Sequence, residues 1–318
     1  MTSVAASLRA PARWRWWEGA LFAVVLASWW LLPRHALLLN EMAILALFAV
    51  SLDLVLGYAG IVSLGHAAFF GAGAYAAALF AKHVMPDPLV GLVAAVAVAA
   101  LLGALCSLLI LRGSDLTRLM VTLGVASVLY ELANKLDDIT GGADGLQGVT
   151  IAPLLGRYEF DLAGRTAYAY TLVVGVVAMG LARRLVQSPF GVSLQALRDN
   201  RLRAASIGLS VNARLIAVYT VAAAMAGAAG ALLAQTSGFA SLDVLAFHRS
   251  ADVLLVLVIG GTGYLYGGIF GAIAFKLLND VISAWTPQYW TFWLGLFLVV
   301  LVLVGRDRLI RPWTWRKK

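Results

Sequence analysis

Residues 57–80 read GYAGIVSLGHAAFFGAGAYAAALF, a run apolar enough for a bilayer that nevertheless carries five glycines, a serine and a histidine. Lipid offers no partner to a loosened backbone or an ionisable ring, so such a segment must face protein or solute. Its glycines let helices approach closely, and Ser63 and His66 supply hydrogen bonds inside a bundle. The segment predicts a helix with an irregular entry turn in an all-α, polytopic membrane protein.

The rest of the chain fits that reading. Of the 318 residues, 62% are apolar and 13% charged, whereas soluble domains sit nearer half and a quarter. The apolar residues form runs of about 15 to 25, the length that crosses the hydrocarbon core. Spans are expected near 19–33, 38–56, 63–81, 88–111, 117–134, 167–183, 214–235, 250–265, 267–284 and 288–304. That is about ten, with eight or nine the alternatives, and the pair around Gly267-Gly268 could form one long kinked helix. The N-terminus has the basic flank and apolar stretch of an export signal but no small-x-small cleavage site before Pro33, so it reads as a retained first span.

With ten spans both termini share a side, and that side holds most of the 24 Lys and Arg residues. Tails 1–17 and 305–318 and the 184–213 loop are therefore expected in the cytoplasm, and the 135–166 loop outside. The whole of 1–318 reads as one transmembrane domain. The net charge of +8 follows from this topology and does not call for nucleic acid.

The 184–213 loop contains SPFGVSLQALRDNRLRAASIGLSVNAR. Leu194, Leu197, Leu202, Ala205 and Leu209 recur at roughly helical spacing among Arg198, Asp199, Arg201 and Arg203, which predicts a short amphipathic helix capped near Gly208. Such a helix lies on lipid headgroups or docks into a groove on a cytoplasmic protein. In the outer loop, Gly141-Gly142 and Asp144-Gly145 are turn signals, and Asp137, Asp138 and Asp144 lack the continuation of a calcium loop. A second glycine-rich segment, 258–274, mirrors 57–80 in density. Ala67 with Gly71, and Gly267 with Gly271, would form close-packing faces, and paired interrupted helices often border a solute site.

Asp53, His66, Glu131, Asp252 and Lys276 fall within or at the ends of spans; Glu131 and Asp252 are close to span ends, and Asp53 and His66 lie deeper. They form either a hydrogen-bonded structural pair or a proton relay. Enzyme signatures are absent: no Gly-Lys dipeptide exists for a phosphate-binding loop, and His35, His66, His83 and His248 have no metal-ligand spacing. The lone Cys106 allows no internal disulfide. Neither a metal nor a cofactor is expected.

Four pieces in order, SLDLVLGYAGIVSLGHAAFFGAGAYAAA, TLGVASVLYELANKLDDITGGADGLQGV, the loop quoted above with its following span, and VLLVLVIGGTGYLYGGIFGAI, resemble LivM-type permease subunits of ABC importers for branched-chain amino acids. The resemblance covers residues 38 to 305. It implies a type II importer-like permease in the bacterial inner membrane, without ATPase activity of its own. It also implies a second, LivH-type permease, two cytoplasmic ATPase subunits and a periplasmic solute-binding protein as partners. Carried over by position, Arg198, Asp199, Arg203, Ala204, Ala205 and Gly208 fall in the ATPase-coupling loop, with Arg203 where the family has an acidic residue. Ser63, Gly65, His66, Gly71 and Tyr75 fall beside the translocation path, and Thr140, Gly141, Gly142, Gly145 and Leu146 in the outer-loop signature. Ile61 stands where many relatives carry Gln. Permeases for urea or short amides are similar, and a proton-coupled secondary transporter using Asp53 and His66 is the alternative from another class.

Overall fold

The computed structural model describes residues 16–110, 115–161 and 163–285, with scattered positions between 288 and 299. Its helices are α1 Trp16–Leu31, α2 Ala36–Asp53, α3 Ala67–His83, α4 Pro88–Ile110, α5 Asp115–Lys135, α6 Asp137–Thr140, α7 Arg165–Val186, α8 Pro189–Asp199, α9 Arg201–Ser206, α10 Val211–Ser237, α11 Phe247–Gly260 and α12 Gly267–Trp285. Among the described residues there is no β-strand, only two isolated bridges.

Small residues set the packing. A Cβ on Gly227 of α10 would overlap Ala99 of α4, one on Gly103 would overlap Ala223, and one on Gly73 of α3 would overlap the Gly227 backbone. The three helices thus meet almost backbone to backbone, where dispersion rather than hydrophobic exclusion holds membrane helices together. At the end of the bundle where α10 stops and α4 starts, Gln235 Nε2 donates to Pro88 O at 2.8 Å, and Tyr170 OH donates to Gln235 Oε1 at 3.0 Å, tying α4, α7 and α10. On the opposite side Arg183 of α7 pairs with Glu18 of α1 at 2.8 Å, both side chains almost wholly buried.

Six described stretches are long and apolar enough to cross a membrane: Pro33–Tyr58, Pro88–Ile110, Leu116–Lys135, Arg165–Val186, Val211–Ser237 and Gly267–Trp285. The expected spans 19–33, 63–81 and 250–265 are shorter as helices. They number 16 residues for α1, 17 for α3 and 14 for α11, each below the ~20 residues of a full crossing. Most of the expected span 288–304, and tail 305–318, lie outside the described residues, as does tail 1–17 up to Trp16.

Two of the three shortened helices, α3 and α11, follow irregular chain. After α2 the backbone widens into a π-helical turn, Leu54–Tyr58, closed by Ile61 N donating to Val55 O at 3.0 Å. Residues 60–66 then carry no regular helix before α3 begins. After α10, Gly238 takes a left-handed cap (φ 66°), and the chain re-enters through the 3-10 turn Leu242–Leu245 to reach α11. Ala67 N at the start of α3 donates to Ser250 Oγ in the first turn of α11 at 2.9 Å. The two half-helices therefore begin side by side.

The glycines around 267 do not kink one helix. A Cβ on Gly260 would overlap Gly267 O, and one on Gly271 would overlap Val256 O, which makes α11 and α12 an antiparallel hairpin. Its tip is the Gly261–Tyr266 turn, with positive φ at Gly261 and Gly263.

Candidate functional site

The hairpin tip, the π-helical turn and the 184–213 loop converge on one point. Arg198, at the end of α8, lays its stem along the π-helical turn, and its Nη1 donates to Gly57 O at 2.5 Å while 43% of the side chain stays exposed. Gly60 has φ +70°, and a Cβ there would stand 2.6 Å from Arg198 Cγ, so the arginine stem lies directly on its backbone. Across the turn, Gly263 N donates to Asp53 Oδ1 at 2.7 Å, and Asp53 is fully buried. The two glycine-rich segments of the sequence thus touch each other, clamped by Arg198 from the loop and by Asp53 from α2.

Asp53 and His66 do not pair. His66 Nε2 shares a hydrogen bond with Ser51 Oγ at 2.9 Å, while its ring stacks on Phe48 and meets Phe69 edge-on, each at 5.7 Å. The remaining expected path residues are equally enclosed. Ser63 Oγ lies 3.1 Å from Tyr219 OH, Gly65 rests on the carbonyl of Thr122 and Gly71 on Leu245. Tyr75 is buried with its hydroxyl unpartnered among the described residues. All five side chains or backbones sit in seams between this chain's own helices rather than on an open wall. On the expected close-packing faces, Gly71 lies against Leu245 and buried Ala67 bonds Ser250, while Gly267 and Gly271 pack against α11.

The 184–213 loop is two helices, not one. Asn200 adopts extended backbone and its side chain accepts from Arg203 N at 3.0 Å, capping α9; Asx residues compete with helix continuation in this way. The break turns the predicted stripe: Leu194, Leu197 and Ala204 are buried, whereas Leu202 is 85% and Ile207 70% exposed. Of the six expected coupling residues, Ala204 is buried, and Arg198, though half-exposed, bonds the Gly57 carbonyl. Asp199, Arg203, Ala205 and Gly208 lie on the outer surface, and around Gly208, with φ +87°, no atom would meet an added Cβ.

On the opposite side the outer-loop residues form a clasp. Thr140 Oγ1 donates to Leu136 O at 2.8 Å, ending α6 before Gly141 and Gly142, both at positive φ. Gly145, also at positive φ, turns the chain so that Leu146 bridges Ala240, with Leu146 N donating to Ala240 O at 2.7 Å. This fixes the point from which residues 240–246 descend into the bundle.

At the foot of that descent lies a group that pattern reading missed. His248 Nε2 contacts Asp243 Oδ1 at 2.8 Å, and Arg249 grips Asp243 Oδ2 through both Nε and Nη2. Reading a span to start at Ser250 left Arg249 in an outer loop. The signal was present in the sequence as an acidic residue five and six positions before His-Arg, ahead of a run too short to cross alone. Lys276, also expected near a span end, pairs with Glu41 at 2.7 Å. Among the described residues no cluster of His, Cys, Asp and Glu could hold a metal ion.

A family profile described as branched-chain amino acid transport system / permease component matches residues 35–305. The high-affinity branched-chain amino acid transport system permease protein LivM of Salmonella typhimurium is 29% identical over 322 residues, covering 93% of this chain and 74% of that protein. LivM of Escherichia coli is 30% identical over 294 residues, covering 84% and 68%. The autoinducer 2 import system permease protein LsrC of Enterobacter sp. is 29% identical over 305 residues, covering 91% and 84%. No solved structure matches the chain. The profile match embraces α2 to α12 with every element of the clamp, the clasp and the 184–213 loop, and the chain belongs to the family of permease components of branched-chain amino acid transport systems.

Proposed function

We propose that this chain is one of the two permease subunits of an inner-membrane ABC importer that moves branched-chain or related amino acids. It works with a LivH-type permease, two cytoplasmic ATPases that bind and hydrolyse ATP, and a periplasmic protein that delivers the solute. It crosses the membrane ten times with both termini cytoplasmic, α1, α3 and α11 being completed by irregular chain. The observation that carries this reading is the two-faced loop. Its outer face offers Arg203, Ala205 and Gly208 beside exposed Leu202 and Ile207, the mixed apolar and basic chemistry of a docking helix. From its inner face Arg198 holds the turn where both glycine segments meet. Closure of the ATPases would pull on α8 and α9, and Arg198 would carry that movement to the 54–66 segment and the hairpin tip. The seam lined by Ser63, Gly65, His66, Gly71 and Tyr75 then shifts beside the path, and the clasp at Thr140 to Leu146 holds the outer end.

The separate partners of Asp53 and His66 speak against a proton relay between them. The test is leucine uptake by the complete transporter in proteoliposomes with ATP inside. Ala205→Glu places a charge on an exposed site that costs the fold little, and it is expected to abolish both ATPase co-purification and uptake. Normal co-purification would overturn the docking assignment. Because one relative is named for autoinducer 2 import, competition of leucine uptake by autoinducer 2 decides between the two solute classes.

A further inference from the structure

We infer that Asp243, His248 and Arg249 form a charged subsite at mid-depth of the translocation path, where the carboxylate and ammonium of a zwitterionic amino acid are met in transit. This rests on the permease reading above.

Depth follows from contacts. Ala99 is the midpoint of α4, Gly227 packs on Ala99, and Gly73 packs on Gly227. Gly71 is two helical residues away, about 3 Å along the axis. Leu245 lies against Gly71, and a Cβ there would be 3.2 Å from Val244 O, so the backbone beside Asp243 is at the centre of the bundle's thickness. His248 and Arg249 immediately precede Ser250, which is bonded to Ala67 at the start of α3. The three side chains therefore lie far from either aqueous face.

Yet they are not enclosed by this chain. The side chains of Asp243, His248 and Arg249 are 42%, 58% and 43% exposed. Charged groups at that depth face lipid only at a cost of several kcal/mol, and they normally line water or a solute route. A seam with a second permease would desolvate all three, which costs more than their pairing returns unless each remaining donor finds a partner. Arg249 Nη1 and His248 Nδ1 carry no bond among the described residues, and each can donate to a carboxylate. The Asp243 oxygens retain lone pairs for an ammonium. Opposite charges held side by side accept a zwitterion without net charge change, whereas an ion of one sign would leave a charge unbalanced. Pro-rich or aromatic recognition is not needed for such a passage; fixed dipoles and paired charges suffice.

The test compares the complete transporter carrying His248→Cys with the unaltered one, which controls for the other subunits' cysteines; in this chain the lone Cys106 is buried. A hydrophilic cationic methanethiosulfonate is expected to modify Cys at 248 and block leucine uptake, and saturation with leucine-loaded binding protein is expected to slow the modification. Modification by a lipophilic maleimide alone, or by neither reagent, would overturn the subsite, the first outcome indicating lipid and the second a permease–permease seam. As a second arm, Arg249→Gln is expected to keep assembly, read by co-purification, but to lower leucine uptake per ATP about tenfold, the loss of one charge-assisted bond. Unchanged uptake per ATP would also refute it. Failure of the permease reading itself would show separately, as no ATP-dependent leucine uptake by the unaltered transporter.

Discussion

A single arginine joins the 184–213 loop to the turn that follows α2. Arg198 was read in the sequence as one of a row of polar residues on an amphipathic helix, and the pattern alone could not tell an outward charge from an inward one. What decides is Gly60: only a residue without a side chain leaves room for the arginine stem on its backbone, at a φ other residues resist. Arg198→Ala is expected to leave ATPase co-purification intact, because Arg203, Ala205 and Gly208 keep their outward face. Uptake of leucine per ATP hydrolysed should fall several-fold as the Gly57 carbonyl loses its partner, a charged bond worth about 1.5–3 kcal/mol. Equal losses of co-purification and uptake would assign Arg198 to docking instead. Arg198→Lys, which retains charge but not the reach of a planar fork, should restore only part of the coupling.

At the scale of elements, the helices α2, α4, α5, α7, α10 and α12 were legible because hydrophobic length is a direct requirement of the bilayer. The helix with an irregular entry read from 57–80 is α3, but the depth at which α3 and α11 start was not legible, since period and composition are the same whether an apolar run starts at the membrane face or at its centre. Their starting points depend on long-range contacts, Ala67 with Ser250 and Gly71 with Leu245, which no local pattern encodes. Glycine density did signal close approach, but it could not distinguish glycines that touch backbone from those that face open space. That distinction is measurable. Gly227→Ala forces a methyl into Ala99 and is expected to destabilise the bundle by about 1–3 kcal/mol. Gly175→Ala in α7 meets nothing within 4 Å and should stabilise by about 0.5–1 kcal/mol through backbone entropy. Thermal unfolding of the detergent-purified transporter checks the contrast, and equal effects would contradict the packing of α4 on α10.

For the molecule as a whole, orientation is the property from which every functional assignment hangs. Arg198, Arg201, Arg203 and Arg214 lie on one end of the bundle with Arg183 and Arg184, and the opposite end carries Asp137, Asp138 and Asp144. The asymmetry of Lys and Arg is the ground for proposing that the arginine end is cytoplasmic; on that proposal α8 and α9 meet the ATPases at the end where Arg198 holds the clamp. Asp144 and Asp199 are both exposed, one at each end. A membrane-impermeant maleimide added to cells with a permeable outer membrane is therefore expected to label Asp144→Cys, and to label Asp199→Cys only once the inner membrane is opened. Cys106, buried within α4, should stay unmodified in both. The reverse pattern would put the clasp rather than the clamp on the ATP side, and the coupling loop would then have no nucleotide-driven partner to follow.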